Sequence, residues 1–207
     1  MTRPAQKKRV AILISGRGSN MTALIEAAQQ PDYPAEIVAV IANKADAGGL
    51  ETARTSDIPA FAFPNKAFGS RDEQEAAIHE ALLTINPDIV CLAGYMRLMS
   101  EGFVKQWEGR MINIHPALLP LFKGLHTHDR ALEAGVRVHG CTVHFVTVGM
   151  DEGPIIAQAT VPVLTGDDAD ALSARVLTAE HQTYPEALRL VAEGKARMVN
   201  GRTVFSD

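Results

Sequence analysis

The 207-residue chain has only two cysteines, Cys91 and Cys141, and a single tryptophan, and no apolar run in it approaches the length needed to cross a bilayer. Two thiols cannot build a disulfide framework and suit a reducing compartment. Cys91 stands inside an apolar run and reads as a buried packing residue. Positive charge is also in short supply. Twenty Lys and Arg face 24 Asp and Glu, a net charge of -4, so no global field exists to hold nucleic acid. An anionic ligand would have to be caught locally. Residues 1–9 are basic, but no apolar segment and cleavage site follow, so they do not read as a secretory signal. A cytoplasmic protein is expected, with residues 1–8 as a flexible basic tail.

What remains is ordinary for one globular α/β domain, with 46% hydrophobic and 21% charged residues. No internal repeat, linker or low-complexity segment divides residues 1–207. Residues 9–14 form a continuous apolar run, the mark of a strand buried on both faces of a parallel sheet. Ser15-Gly16-Arg17-Gly18-Ser19-Asn20 follows, and residues 21–28 read as a helix. A strand, a Gly-rich turn and a helix N-terminus can hold a phosphate through backbone N–H groups. The same residues could equally be a tight turn with an Asn or Ser cap. The dinucleotide fingerprint asks for a third glycine where Met21 stands and an acid about 20 residues on, but the second strand, residues 36–42, ends in Asn43-Lys44. A phosphomonoester therefore fits better than a dinucleotide.

Further along, residues 46–55 read as a helix, 60–63 as a short strand, and 71–83 as a surface helix with its acids turned outward. Residues 88–93 are another buried strand, followed by Gly94-Tyr95-Met96-Arg97-Leu98-Met99. Residues 155–163 read as a strand antiparallel to the one before it. A long helix follows, with Leu172, Val176, Ala179 and Thr183 on its apolar face and Glu180 beside them. Pro185 is expected to bend or divide it. Residues 195–207 suggest a hairpin around Asn200-Gly201. The expected fold is a Rossmann-like open sheet, parallel in its N-terminal half and mixed or antiparallel in its C-terminal part, with helices on both faces.

The chemistry concentrates in residues 111–153. Residues 111–114 alternate as a strand end, so Asn113 and His115 share a face. Pro116 and Pro120 restrict the loop beyond, which carries His126 and His128. A β-branched run over 136–148 breaks at Gly149-Met150-Asp151-Glu152-Gly153-Pro154, leaving Asp151 in a Gly-flanked turn. An amide, an imidazole and a carboxylate at strand ends look like a catalytic set, although Asn113 and His115 could merely cap a strand. The three residues offer an oxyanion donor, a group that moves a proton, and an acid that holds the imidazole. His139, Cys141 and His144 invite a metal, but 139 and 141 face one way and 144 the other. No second pair accompanies His126 and His128 at zinc spacing, so no metal site is expected. His144 reads as a packing or ligand-lining residue, and Phe103 and Trp107 as helix core.

N-I-H-P-A-L-L-P at 113–120, G-L-H-T-H at 124–128, H-G-C-T-V-H-F-V at 139–146 and M-D-E-G-P-I-I at 150–156 resemble the folate-dependent formyltransferases. The resemblance covers nearly the whole chain, from residue 10 to about residue 201. It implies formyl transfer from 10-formyltetrahydrofolate to the amine of glycinamide ribonucleotide, a step of purine synthesis. It implies Asn113, His115 and Asp151 as the catalytic set. Gly18, Ser19, Asn20 and Glu180 would hold the ribose phosphate. Folate would be held by Met96, Arg97, Leu98 and Met99, by Thr147, Val148, Gly149 and Met150, and, on a weaker match, by Arg71. Leu121 stands where relatives often carry a polar residue. The partners implied are these small molecules, with no nucleic acid or membrane, for a monomer or homodimer. A hydrolase of the folate, or a nucleotide-sensing module with the phosphate loop alone, are the competing readings.

Overall fold

The computed structural model describes residues 6–206. Most of the expected N-terminal tail, residues 1–5, lies outside them, and Lys8 already opens the first strand. Seven strands form one sheet: β1 (Lys8–Ile14), β2 (Ala35–Ala42), β3 (Ala60–Ala62), β4 (Ile89–Leu92), β5 (Met111–His115), β6 (Val138–Phe145) and β7 (Ile155–Pro162). Their spatial order is β3-β2-β1-β4-β5-β6-β7. The first five are parallel, and β6 runs antiparallel to both β5 and β7. The expected mixed α/β sheet is therefore what forms. Strand order reverses between β1 and β4, and the carboxyl ends flanking such a reversal are where open α/β sheets bind ligands.

Six α-helices accompany the sheet among the described residues: α1 (Ser19–Ala28), α2 (Gly49–Thr55), α3 (Arg71–Ile85), α4 (Glu101–Gln106), α5 (Thr127–Glu133) and α6 (Ala169–Ala192). Side-chain parity sorts the strands into two cores. Ile12, Ile14, Cys91, Ile112 and Val143 pack with Leu24 of α1 and Leu172 and Val176 of α6. Leu13, Val90 and Met111 pack on the other face with Ile78 and Leu82 of α3 and Phe103 of α4. Trp107, just beyond α4, joins the same layer, as expected of a core residue. Burial of both faces is why β1 lacks polar alternation. The terminal hairpin forms as a separate pair, β8 (Ala196–Val199) with β9 (Arg202–Phe205).

Two local expectations need correcting. Of the two outcomes expected at Pro185, division does not occur, and α6 runs for 24 residues through it. An interior proline costs about 3 kcal/mol. Against that, Tyr184, Ala187 and Leu188 beside it are fully buried, and each large apolar side chain buried returns roughly 1.5–3 kcal/mol. The Tyr184 hydroxyl also donates to the carbonyls of Leu92 (3.0 Å) and Ile112 (3.2 Å), pinning the helix to β4 and β5. The second correction concerns α5. Residues read as loop around His126 and His128 are helical from Thr127, because His126 itself enters with a left-handed φ of 55° and starts the turn. Cys91 is buried as expected, and Cys141 is buried too. Burial pushes the pKa of Cys91 up to about 12 and that of Cys141 up to about 11.

Candidate active site

The register of the antiparallel β5–β6 pair builds the site. Asn113 lies opposite His144, and His115 opposite Thr142. Directly opposed residues share a face and sit within contact range. Asn113 Nδ2 is 3.2 Å from His144 Nε2, and His144 Nδ1 is 2.9 Å from the Phe145 carbonyl. A carbonyl only accepts, so Nδ1 carries the ring proton and Nε2 accepts from the Asn113 amide. That bond uses one amide hydrogen and leaves the other for a ligand. Burial pushes the His144 pKa below the ordinary imidazole value, which keeps the ring in this neutral, accepting form.

His115, 5% exposed, meets two acceptors. Its Nε2 lies 3.0 Å from the Phe122 carbonyl and its Nδ1 3.4 Å from Asp151 Oδ2. A ring with acceptors at both nitrogens is best satisfied when both carry protons. Asp151 is held in turn. Gly124 donates its backbone N–H to Oδ2 at 2.8 Å, and Oδ1 lies 3.8 Å from His144 Nε2. Asp151 adopts a left-handed φ of 52° in the turn before β7, which aims the carboxylate back at the ends of β5 and β6. Asn113, through His144, and His115 directly thus both border the Asp151 carboxylate.

The Gly-rich loop lies across the sheet reversal. Gly18, with φ of 72°, is the N-cap of α1, and no side chain caps the helix. The Asn-or-Ser cap is therefore not used, and the first N–H groups of α1 stay open to an anion. Asn20 Nδ2 instead donates to Glu180 Oε2 at 2.7 Å, although the two residues are 160 apart in sequence. Asn20 Oδ1 is buried without a partner. Burial raises the Glu180 pKa, partly offset by the Asn20 bond. Ser15 joins this loop to the next, accepting from the Met96 N–H at 2.8 Å while its own N–H donates to the Gly94 carbonyl.

Met96 and Leu98 are 71% and 63% exposed, and Val148 and Met150 are at least half exposed. The Met150 thioether reaches Gly124, so the 147–150 segment borders the loop after His115. Arg71 pairs with Asp72 and more distantly with Glu75. Glu75 is buried, against the expectation that the α3 acids face water, and it accepts from both the N–H and the hydroxyl of Ser100. Arg71 thereby sits at the foot of the 94–99 segment.

His139 and Cys141 lie on the opposite side of β6 from His144. Cys141 Sγ is 3.8 Å from the Thr183 hydroxyl of α6, and His139 packs edge-on against Phe122 and His128. The strand slips register between Val143 and His144 against β7, yet no three His, Cys, Asp or Glu groups converge as metal ligands among the described residues. His139 is fully buried with neither ring nitrogen bonded, and burial pulls its pKa from 6.5 to about 4. Such a group binds a proton in the unfolded chain before it does so in the fold. Stability is therefore full above about pH 6.5 and falls progressively to about pH 4, by about 3 kcal/mol at one pKa unit per 1.36 kcal/mol. Urea midpoints from pH 7.5 to 4 should show this fall, and His139→Phe should reduce it while the share from His144, which burial also shifts down, remains.

The sequence reading missed the part played by His144, as it did the Phe122 carbonyl and the Gly124 N–H. The matching parity of residues 142, 144, 113 and 115 was visible. Which of them stand opposite one another depends on register, which no local pattern carried.

With this geometry in view, the relatives are informative. Residues 8–188 match the formyl transferase family model. The chain belongs to that family. It is 46% identical over 189 residues to phosphoribosylglycinamide formyltransferase of Escherichia coli, covering 91% of this chain and 89% of that one. The crystal structure of phosphoribosylglycinamide formyltransferase from Brucella melitensis is 58% identical, with a TM-score of 0.88 over 95% of this chain and all of that one. The bovine trifunctional purine biosynthetic protein adenosine-3 is 50% identical over 198 residues, but this chain spans only 20% of its length. No helix among the described residues is long and apolar enough to cross a membrane.

Proposed function

We propose that this protein is a phosphoribosylglycinamide formyltransferase, moving the formyl group of 10-formyltetrahydrofolate to the glycine amine of glycinamide ribonucleotide. The convergence of Asn113, His115 and Asp151 carries the reading. Neither Ser nor Cys is paired with this imidazole, which favours direct attack by the substrate amine. The amine nitrogen bonds to the formyl carbon and the carbonyl electrons move to oxygen. The free Asn113 N–H donates to that oxyanion, one such donor being typically worth about 3–4 kcal/mol, and a protonated His115 beside it adds its charge. Asp151 accepts the proton that the newly bonded nitrogen, now an ammonium, must release, directly or through water. The oxyanion then collapses to a carbonyl as the C–N bond to folate N10 breaks, and N10 takes up the proton that Asp151 accepted.

The surroundings support both substrates. The uncapped α1 N-terminus beside Gly18, Ser19 and Asn20 suits a phosphate, and Glu180 keeps Oε1 for the ribose hydroxyls. The exposed side chains of Met96, Leu98, Val148 and Met150 offer apolar surface to a pterin. Arg97, Met99, Thr147 and Gly149 complete these two segments, and Arg71 suits the folate carboxylate. A spectrophotometric assay with 10-formyltetrahydrofolate, run with and without glycinamide ribonucleotide, tests the assignment. Folate product should appear only with the ribonucleotide, matched by formylated product. Formate release at the same rate without it would make this a hydrolase. Ligand binding with no turnover would reduce it to a sensing module.

A further inference from the structure

Three residues stand in a row across the last strands of the sheet. His115 on β5 is opposite Thr142 on β6, which is opposite Gln158 on β7. The last two take no part in the chemistry above, yet their bonds converge on the chain segment that leaves His115. Thr142, fully buried, donates its hydroxyl proton to the Ala117 carbonyl at 2.7 Å and accepts from the Leu119 N–H at 3.0 Å and from Gln158 Nε2 at 2.9 Å. A hydroxyl has one hydrogen and two lone pairs, so this one is fully used. Gln158 Nε2 also donates to the Leu119 carbonyl at 3.0 Å.

The segment so gripped supplies both of the backbone groups that hold the catalytic pair. The Phe122 carbonyl accepts from His115 Nε2, and the Gly124 N–H donates to Asp151 Oδ2. At its far end the segment is held from outside. Lys123 pairs with Glu152 at 2.9 Å, and Arg130 of α5 donates to the Lys123 carbonyl at 2.6 Å. Between His115 and these outer contacts, the Thr142 and Gln158 bonds at Ala117 and Leu119 set the path of the chain.

We propose that Thr142 and Gln158 are positioning residues for the His115–Asp151 pair, acting through the Phe122 carbonyl and the Gly124 N–H. They touch neither substrate and govern turnover rather than binding. Misplacing a catalytic group by about 1 Å can cost on the order of a hundredfold in rate. The inference rests on the catalytic assignment of His115 and Asp151, so one readout must be independent of turnover. The His115 ring Nε2–H, bonded to a carbonyl in a buried site, should give a downfield, slowly exchanging signal in ¹H–¹⁵N spectra of histidine-labelled protein, identified by its loss in His115→Ala.

Thr142→Val keeps the shape and removes all three hydroxyl bonds, Thr142→Ser restores the hydroxyl, and Gln158→Met removes only the amide. Gln158 lies on the exposed edge strand, so its variant tests the idea even if Thr142→Val does not fold. The expected result is a fall in kcat of tenfold or more in Thr142→Val and several-fold in Gln158→Met, with both KM values within twofold of the parent. The His115 signal should broaden or move upfield in both, and Thr142→Ser should recover rate and signal. Unchanged kcat, a change confined to KM, or lost rate with an unmoved His115 signal would overturn the proposal. If the parent enzyme transfers no formyl group, the signal still reports whether the two residues hold the imidazole, and only the functional reading falls.

Discussion

Asp151→Asn is expected to abolish formyl transfer while leaving both ligands bound. The Asn side chain fits the same turn, and its carbonyl oxygen can still accept from the Gly124 N–H that Asp151 Oδ2 uses. His115 Nδ1 faces the same Oδ2, so what changes is the charge of the group and its second atom: an N–H₂ replaces Oδ1, the oxygen that faces His144 Nε2. The variant loses the acceptor for the ammonium proton and the charge that favours imidazolium at one stroke. A fall in kcat of about a thousandfold or more is expected for a positioned acid–base group. Isothermal titration should find folate and ribonucleotide affinities within a few-fold of the parent. Retained turnover would remove Asp151 from the mechanism, and lost binding would make it a structural residue of the turn.

His115→Ala should be nearly as damaging, for a different reason. Asn113 keeps its place, because its amide is oriented by His144 rather than by His115. The oxyanion donor therefore survives, and the expected loss, that of the imidazole beside Asp151, is roughly 10²- to 10³-fold in kcat. Asp151 would keep its Gly124 bond, so the carboxylate should remain to accept a proton. Folate binding should stay nearly intact in a titration of the variant. A variant with only a slightly lower rate would remove His115 from the mechanism.

Much of this was legible along the chain because the relevant physics is local. A buried parallel strand reads as an unbroken apolar run, so β1 and β4 could be found from composition alone. Parity put Asn113 and His115 on one face without any knowledge of the neighbouring strands. The Gly-flanked turn placed Asp151 where a left-handed residue was needed. The resemblance to the formyltransferases then joined these pieces into one site. Local reasoning failed where tertiary contacts overrule propensity. Pro185 is carried inside α6 by the burial of its neighbours, and Glu75, read as a solvated acid, is drawn inside by Ser100.

The sequence by itself therefore determined the layered α/β class, the strand ends from which the reactive groups emerge, and the types of group available for transfer. Only the tertiary structure decided how those groups are held. Asn20 meets Glu180 across 160 residues, Asn113 meets His144 across 31, and Gly124 meets Asp151 across 27. The reason is physical. Periodicity and turn chemistry act over a few residues and fix which way a side chain faces. The partner it faces depends on sheet register and loop path, which are settled only when the two cores close on both sides of the sheet.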